Sequence, residues 1–140
     1  MADGVTATVQ VVLVGGHESD GSAALARFAR RLPRAVALPP GRRLHDAVTA
    51  ALVAGDTVVV VPMTFGRDPT MVADTAKTLR WIASRHDGSV ALAAPFGVAD
   101  HLTARLRAAA GAVRARDPRA ALVVAARSSN PFDDAELHRI

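Results

Sequence analysis

Cysteine does not occur in this chain of 140 residues. Its absence excludes a disulfide framework, a thiolate nucleophile and a zinc knuckle, so a metal would have to be held by histidine, carboxylate, methionine or the substrate itself. An uninterrupted apolar stretch of about 18 residues, enough to span a bilayer, is also missing. The amino terminus, "MADGVTATVQ", has no basic segment ahead of an apolar one. These absences lead us to expect an unexported cytoplasmic protein with no membrane contact. Lysine is nearly absent as well, Lys77 being the sole example, so the formal charge of +4 rests on arginine. A coding bias toward Ala, Val and Arg would produce this, although arginine forks also suit carboxylate or phosphate partners. Aromatic residues make up 4% of the chain, and no basic run is interleaved with stacking rings, so nucleic acid is not an expected partner.

Four valine-rich runs are present: "VQVVLV" (9–14), "AVAL" (35–38), "TVVVVPM" (57–63) and "SVALAAP" (89–95). A helical pattern follows each one. Leu25, Phe28, Ala29 and Leu32 would share one helix face, Leu44, Val48, Ala51 and Leu52 a second, Val72, Ala76, Leu79 and Ile82 a third, and Leu102, Leu106 and Ala109 a fourth. Near-continuous apolar strands alternating with amphipathic helices imply a parallel sheet covered on both faces. The expected fold is therefore α/β, a doubly wound three-layer sandwich with a mainly parallel sheet of four to five strands. A chain of this size can hide roughly 70% of its unfolded surface, enough for one core without staples.

In such a sheet, ligands bind beyond the carboxyl ends of the strands. His17 follows the first run directly, in "VQVVLVGGHESDGS", while "TFGRDPT" (64–70) and "FGVADH" (96–101) follow the third and fourth. All three loops should meet on one rim. The glycines could admit an anion, but the spacing is not G-x-G-x-x-G and no phosphate-binding lysine follows, so no nucleotide is expected. No G-x-S-x-G elbow accompanies His17, Ser19 and Asp20, which sets hydrolysis aside. A neutral imidazole at the rim can accept a proton or bind a divalent metal; it can also serve as a local hydrogen-bonding residue.

Residues 121–137, "ALVVAARSSNPFDDAEL", overlay residues 11–27 without a gap, placing Arg127 on His17 and Asn130 on Asp20. Two readings follow. The first is a repeated strand–loop–helix start, and the second an ordinary fifth strand with a closing helix capped by Asn130 or Asp133 near Pro131. On either reading the organisation is a main unit over 1–118 and a fifth strand with a short helix over 119–140.

Taken together, "LVGGHES", "VVVVPMTFGRDPTMVADTAKTL" and "APFGVADHLTARL" resemble, in order and spacing, the sirohydrochlorin chelatase family. The family's V-G-H-G-S-like loop corresponds to Gly16–Ser19, its V-V-P segment and D-I-P-like helix start to Val60–Pro62 and Asp74, and its P-L-G-x-x-P-L-L to Pro95–Gly97 with Leu102. "ARSSNP" (126–131) is similar to the loop that opens the second copy in tandem members, so 119–140 would be the start of a second repeat. The resemblance implies a chelatase-like, flavodoxin-like architecture. It further implies insertion of Co²⁺ or Fe²⁺, or Ni²⁺ in some members, into sirohydrochlorin, in sirohaem or cobalamin biosynthesis. The metal is the substrate, no nucleotide is needed, and short members work as homodimers.

His17 would then be the catalytic base and metal ligand, supported by Glu18 or Asp20, with Gly16, Ser19, Thr64, Phe65, Arg67 and Gly97 shaping a tetrapyrrole pocket. Arg67 would clamp peripheral carboxylates. The family's second histidine falls on Thr70, beside Met71, which leaves His101 as the substitute metal ligand. His45, His86 and His138 are expected at the surface. The alternative function is a degenerate, non-catalytic domain of this fold that binds a metal or tetrapyrrole, or forms an interaction half of a larger assembly.

Overall fold

The computed structural model describes residues 8–135. Four strands, β1 (Val9–Val14), β2 (Ala35–Leu38), β3 (Thr57–Pro62) and β4 (Val90–Leu92), form one sheet in the order β2-β1-β3-β4, with every pairing parallel. The connections carry the short helix α1 (Ala26–Ala29) and the longer α2 (Arg42–Val53) and α3 (Pro69–Ala83); α4 (Ala99–Arg116) follows β4, and α5 (Pro131–Asp134) closes the described chain. The architecture is α/β with an all-parallel sheet. From β1 the chain moves outward to β2 on one side and later to β3 on the other. The sheet's topological switch therefore lies between β1 and β3, and their carboxyl ends border the crevice where ligands bind in such folds.

The two faces of the sheet are unequally covered. Val12, Val14, Val58 and Val60 point to one face and pack on Leu44, Val48, Leu79 and Ile82 of α2 and α3. The other face holds a thinner cluster of Leu13, Ala29 and Met63. Burial along β3 accordingly alternates between full and partial rather than running continuously.

Three expectations need correction. The first helix shrinks to four residues, and Phe28 and Leu32 are exposed. Asp20, Gly21 and Ser22 all have positive φ, which delays the helix start, and Pro33 follows closely. The fourth helix forms but buries no side chain: Leu102 and Leu106 are half-buried and Ala109 is exposed. The fifth strand is not formed. Residues 121–126 join no ladder, and Val123 is 88% exposed. Of the two edge strands, β2 and β4, the latter is only three residues long, too short to offset the roughly 1–2 kcal/mol per residue that ordering another strand costs.

Candidate metal centre

His17 sits one turn beyond β1, in the tight turn His17–Ser19. Gly16 allows that turn to lie against the start of α3, because a Cβ there would overlap Asp68 Oδ2 and come within 3.1 Å of Met71 Cβ. Asp68 is the N-cap of α3, accepting from Met71 N at 3.1 Å, with Pro69 in the first helical position. The remaining carboxylate oxygen, Oδ2, accepts from His17 N at 3.0 Å and lies 3.1 Å from His17 Nδ1. The cap of one helix thus also orients the imidazole of the opposite loop.

A second carboxylate arrives from the far end of the chain. Asn130 caps α5 by accepting from Phe132 N and Asp133 N, and this leaves the Asp133 side chain free to point inward. Its Oδ1 accepts from Thr70 N (3.2 Å) and Thr70 Oγ1 (2.9 Å), while Oδ2 accepts from Asn130 Nδ2 and lies 3.8 Å from His17 Nδ1. Asp68 and Asp133 are 3% and 2% exposed. One atom each from His17, Asp68 and Asp133 falls within 4.8 Å of the others. Two buried carboxylates facing one imidazole leave net negative charge even when the ring is protonated, an arrangement that a cation relieves. With metal–ligand bonds of about 2.1 Å, neighbouring ligand atoms stand about 3.0–3.4 Å apart. The observed 3.1 Å falls within that spacing and 3.8 Å about 0.4 Å beyond it, so a small side-chain adjustment would close the site.

Glu18 fixes the opposite wall. Its two carboxylate oxygens accept from Phe65 N at 2.9 Å and Arg67 N at 3.1 Å, joining the loop after β1 to the loop after β3. Beside the centre lies a polar cleft of about 330 Å³, lined by His17, Ser19, Asp20, Arg67, Ala126 and Arg127 among others. An adjoining apolar cavity of about 280 Å³ is bounded by Leu25, Phe28, Met63, Phe65 and Phe96. A larger cavity, near 500 Å³, opens between α2 and α3 beside His45, Lys77 and Trp81, away from the carboxylate pair.

Of the residues expected at the site, His17, Ser19, Thr64, Phe65 and Arg67 line the polar cleft or the adjoining apolar cavity, and Gly16 packs behind them against Asp68. Ser19 is buried, its hydroxyl donating to Gly16 O, and buried Thr64 accepts from Gly66 N. Arg67 reaches the Arg127 carbonyl at 3.4 Å, and its Nε is buried without a partner, as is His17 Nε2. Gly97 acts at one remove, since a Cβ there would lie 2.6 Å from the Phe65 ring. His101 does not join the cluster; it accepts from Val98 N at the start of its own helix. Met71 is buried in the core against Thr75 and is no ligand. Thr70 reaches the centre through Asp133. Helix α3 begins at Pro69, so Asp74 is an exposed mid-helix residue rather than a helix start. Asp20 is exposed, 3.4 Å from Arg127. His45 and His86 are half-buried, the former ring tilted against Trp81 with centroids 5.0 Å apart, and His138 lies outside the described residues.

Asp68 and Asp133 did not emerge from the sequence as site residues. The Asp-Pro pair at 68–69 signals a helix cap, which Asp68 is, but carries no hint of the second partner. For Asp133, 116 positions from His17, only the docking of the chain end reveals the role. Among the described residues, no helix is long and apolar enough to cross a membrane. Comparison of the chain with protein-family models, curated proteins and solved structures gives no match.

Proposed function

We propose that the chain binds a divalent cation through His17, Asp68 and Asp133 and delivers it to a carboxylate-fringed tetrapyrrole of the sirohydrochlorin type. The observation that carries this reading is the convergence of two buried carboxylates on the His17 ring, at the crevice where β1 and β3 diverge. The set is one nitrogen and two hard oxygens, which suits Co²⁺ or Fe²⁺ better than a thiophilic ion. Insertion exchanges one M²⁺ for two pyrrole protons, and the imidazole and two carboxylates provide acceptors beside the reacting ring. The apolar cavity under Phe28, Phe65 and Phe96 would take a macrocycle face, and Arg67 and Arg127 at the cleft edge would meet its acidic fringe. Pairing of two copies, as in short chelatases, belongs to the same proposal, supported by the exposed β4 edge and the unburied α4.

A second reading, binding without insertion, is favoured by one specific feature: the residue in the position of the family's second histidine is Thr70, which spends its donors on Asp133. Following sirohydrochlorin absorbance after addition of Co²⁺ or Fe²⁺, for the parent chain and His17→Ala, separates the two. Insertion by the parent that the variant loses supports the chelatase. A spectral shift without product supports the binder, and equal product from both chains refutes the role of His17.

A further inference from the structure

The segment leading to Asp133 is attached in an unusual way. From 121 to 132 its side chains are exposed apart from half-buried Asn130, including Leu122, Val124 and Phe132; Asp133 alone is fully buried. Apolar burial therefore contributes little to docking. The hook that presents Asp133 is built locally: Asn130 caps α5, and Asp134 receives the Ser128 hydroxyl and Ser129 N–H, contacts that hold its carboxyl below the usual carboxylate range. Beyond Asp133, the polar anchors to the body are long, Arg127 to Asp20 at 3.4 Å and Arg67 to the Arg127 carbonyl at 3.4 Å. Asp133 itself enters a socket that already contains the buried carboxylate of Asp68, so docking brings two like charges together. The polar cleft beside His17 has Ala125, Ala126 and Arg127 for one wall, so this segment covers the access to the centre.

We infer that residues 125–135 are a strap fastened by the metal: a divalent cation takes Asp133 as its third protein ligand, so capture of the ion and closure of the strap over the cleft are one equilibrium. The inference rests on the proposed metal centre and extends it by assigning the closing element. The cation replaces repulsion between Asp68 and Asp133 with attraction of both to one charge. Linkage makes the coupling reciprocal: the factor by which a docked strap tightens metal binding equals the factor by which metal favours docking. Loss of an outer-shell partner already costs about 10–100-fold in metal affinity, so loss of a direct carboxylate ligand should cost about 100-fold or more.

The test uses the full chain with Co²⁺ or Mn²⁺ alone. Hydrogen exchange is read at the Thr70 amide, whose acceptor is Asp133 Oδ1, and at Ser129 and Asp133 within the hook, with β1 and β3 amides as the control for folding. Metal affinity is measured in parallel for the parent, Asp133→Asn, Asp68→Asn and His17→Ala. Saturating metal should slow exchange at Thr70 in the parent about 100-fold while leaving β1 and β3 unchanged, and Asp133→Asn should weaken binding by a similar factor. Metal binding that needs His17 and Asp68 but is unaltered in Asp133→Asn would overturn the strap and remove Asp133 from the ligand set, leaving a two-ligand site of His17 and Asp68. No binding by the parent would overturn both. Because the Thr70 measurement is made on the parent chain, its failure to respond to bound metal refutes the strap even if the variant does not fold.

Discussion

Replacing Asp68 separates its structural role from its proposed ligand role. In Asp68→Ala the α3 cap is lost, at about 1 kcal/mol. The part-buried His17 N–H also loses its acceptor, adding up to about 1–3 kcal/mol for an orphaned donor. The sum, about 2–4 kcal/mol, corresponds to roughly 10 °C in Tm for a chain of this length. Asp68→Ser restores a hydroxyl able to cap Met71 N, but it is too short to hold His17 and carries no charge. It should recover about 1 kcal/mol of the stability and none of the metal affinity. Denaturant unfolding of the metal-free chains and Co²⁺ titration of each give the two quantities independently. The reasoning fails if alanine costs under about 0.5 kcal/mol, or if serine recovers metal binding in step with stability.

Gly16→Ala should displace the Asp68 carboxylate, lowering metal affinity more than 10-fold while the β1–β3 core stays protected in hydrogen exchange; parent-like affinity would contradict the close approach read at this position. Glu18→Ala frees the Phe65 and Arg67 amides, so their exchange should accelerate and any tetrapyrrole affinity should fall, whereas unchanged exchange would show that the carboxylate bridge is dispensable. Ile82→Ala, at a fully buried position between α3 and the sheet, should cost about 2–5 kcal/mol, and Leu106→Ala on the unburied α4 under about 1 kcal/mol; similar costs in denaturant unfolding would contradict the contrast in burial between α3 and α4.

The valine runs and the 3.6-residue pattern of α2 and α3 made the parallel sheet and its better-covered face legible, because there local propensity and burial agree. The same pattern misled at α4. Leu102 and Leu106 recur at helical spacing, yet the preceding strand, only three residues long, is too short to give them a surface to bury against. "ALVVAA" is strand-like by composition, but a strand needs a partner edge, which composition does not supply. At the site, the rule that ligands gather beyond strand ends pointed to His17 and the 64–67 loop, which do face each other across the crevice. Asp133 escaped because its short-range signal was that of a helix cap, and Asp68 because the helix start expected from the resemblance lies at Asp74, six residues later. Their convergence on His17 arises from tertiary docking, which leaves no periodicity in the sequence.

The central claim is that His17, Asp68 and Asp133 together hold a divalent ion. Anomalous diffraction at the cobalt edge from crystals of the full chain grown with Co²⁺ tests it most directly. The account predicts one peak about 2.0–2.3 Å from a His17 ring nitrogen and from a carboxylate oxygen of each aspartate. A peak elsewhere, with the His17–Asp68 contact still near 3.1 Å and no ion beside it, would contradict it.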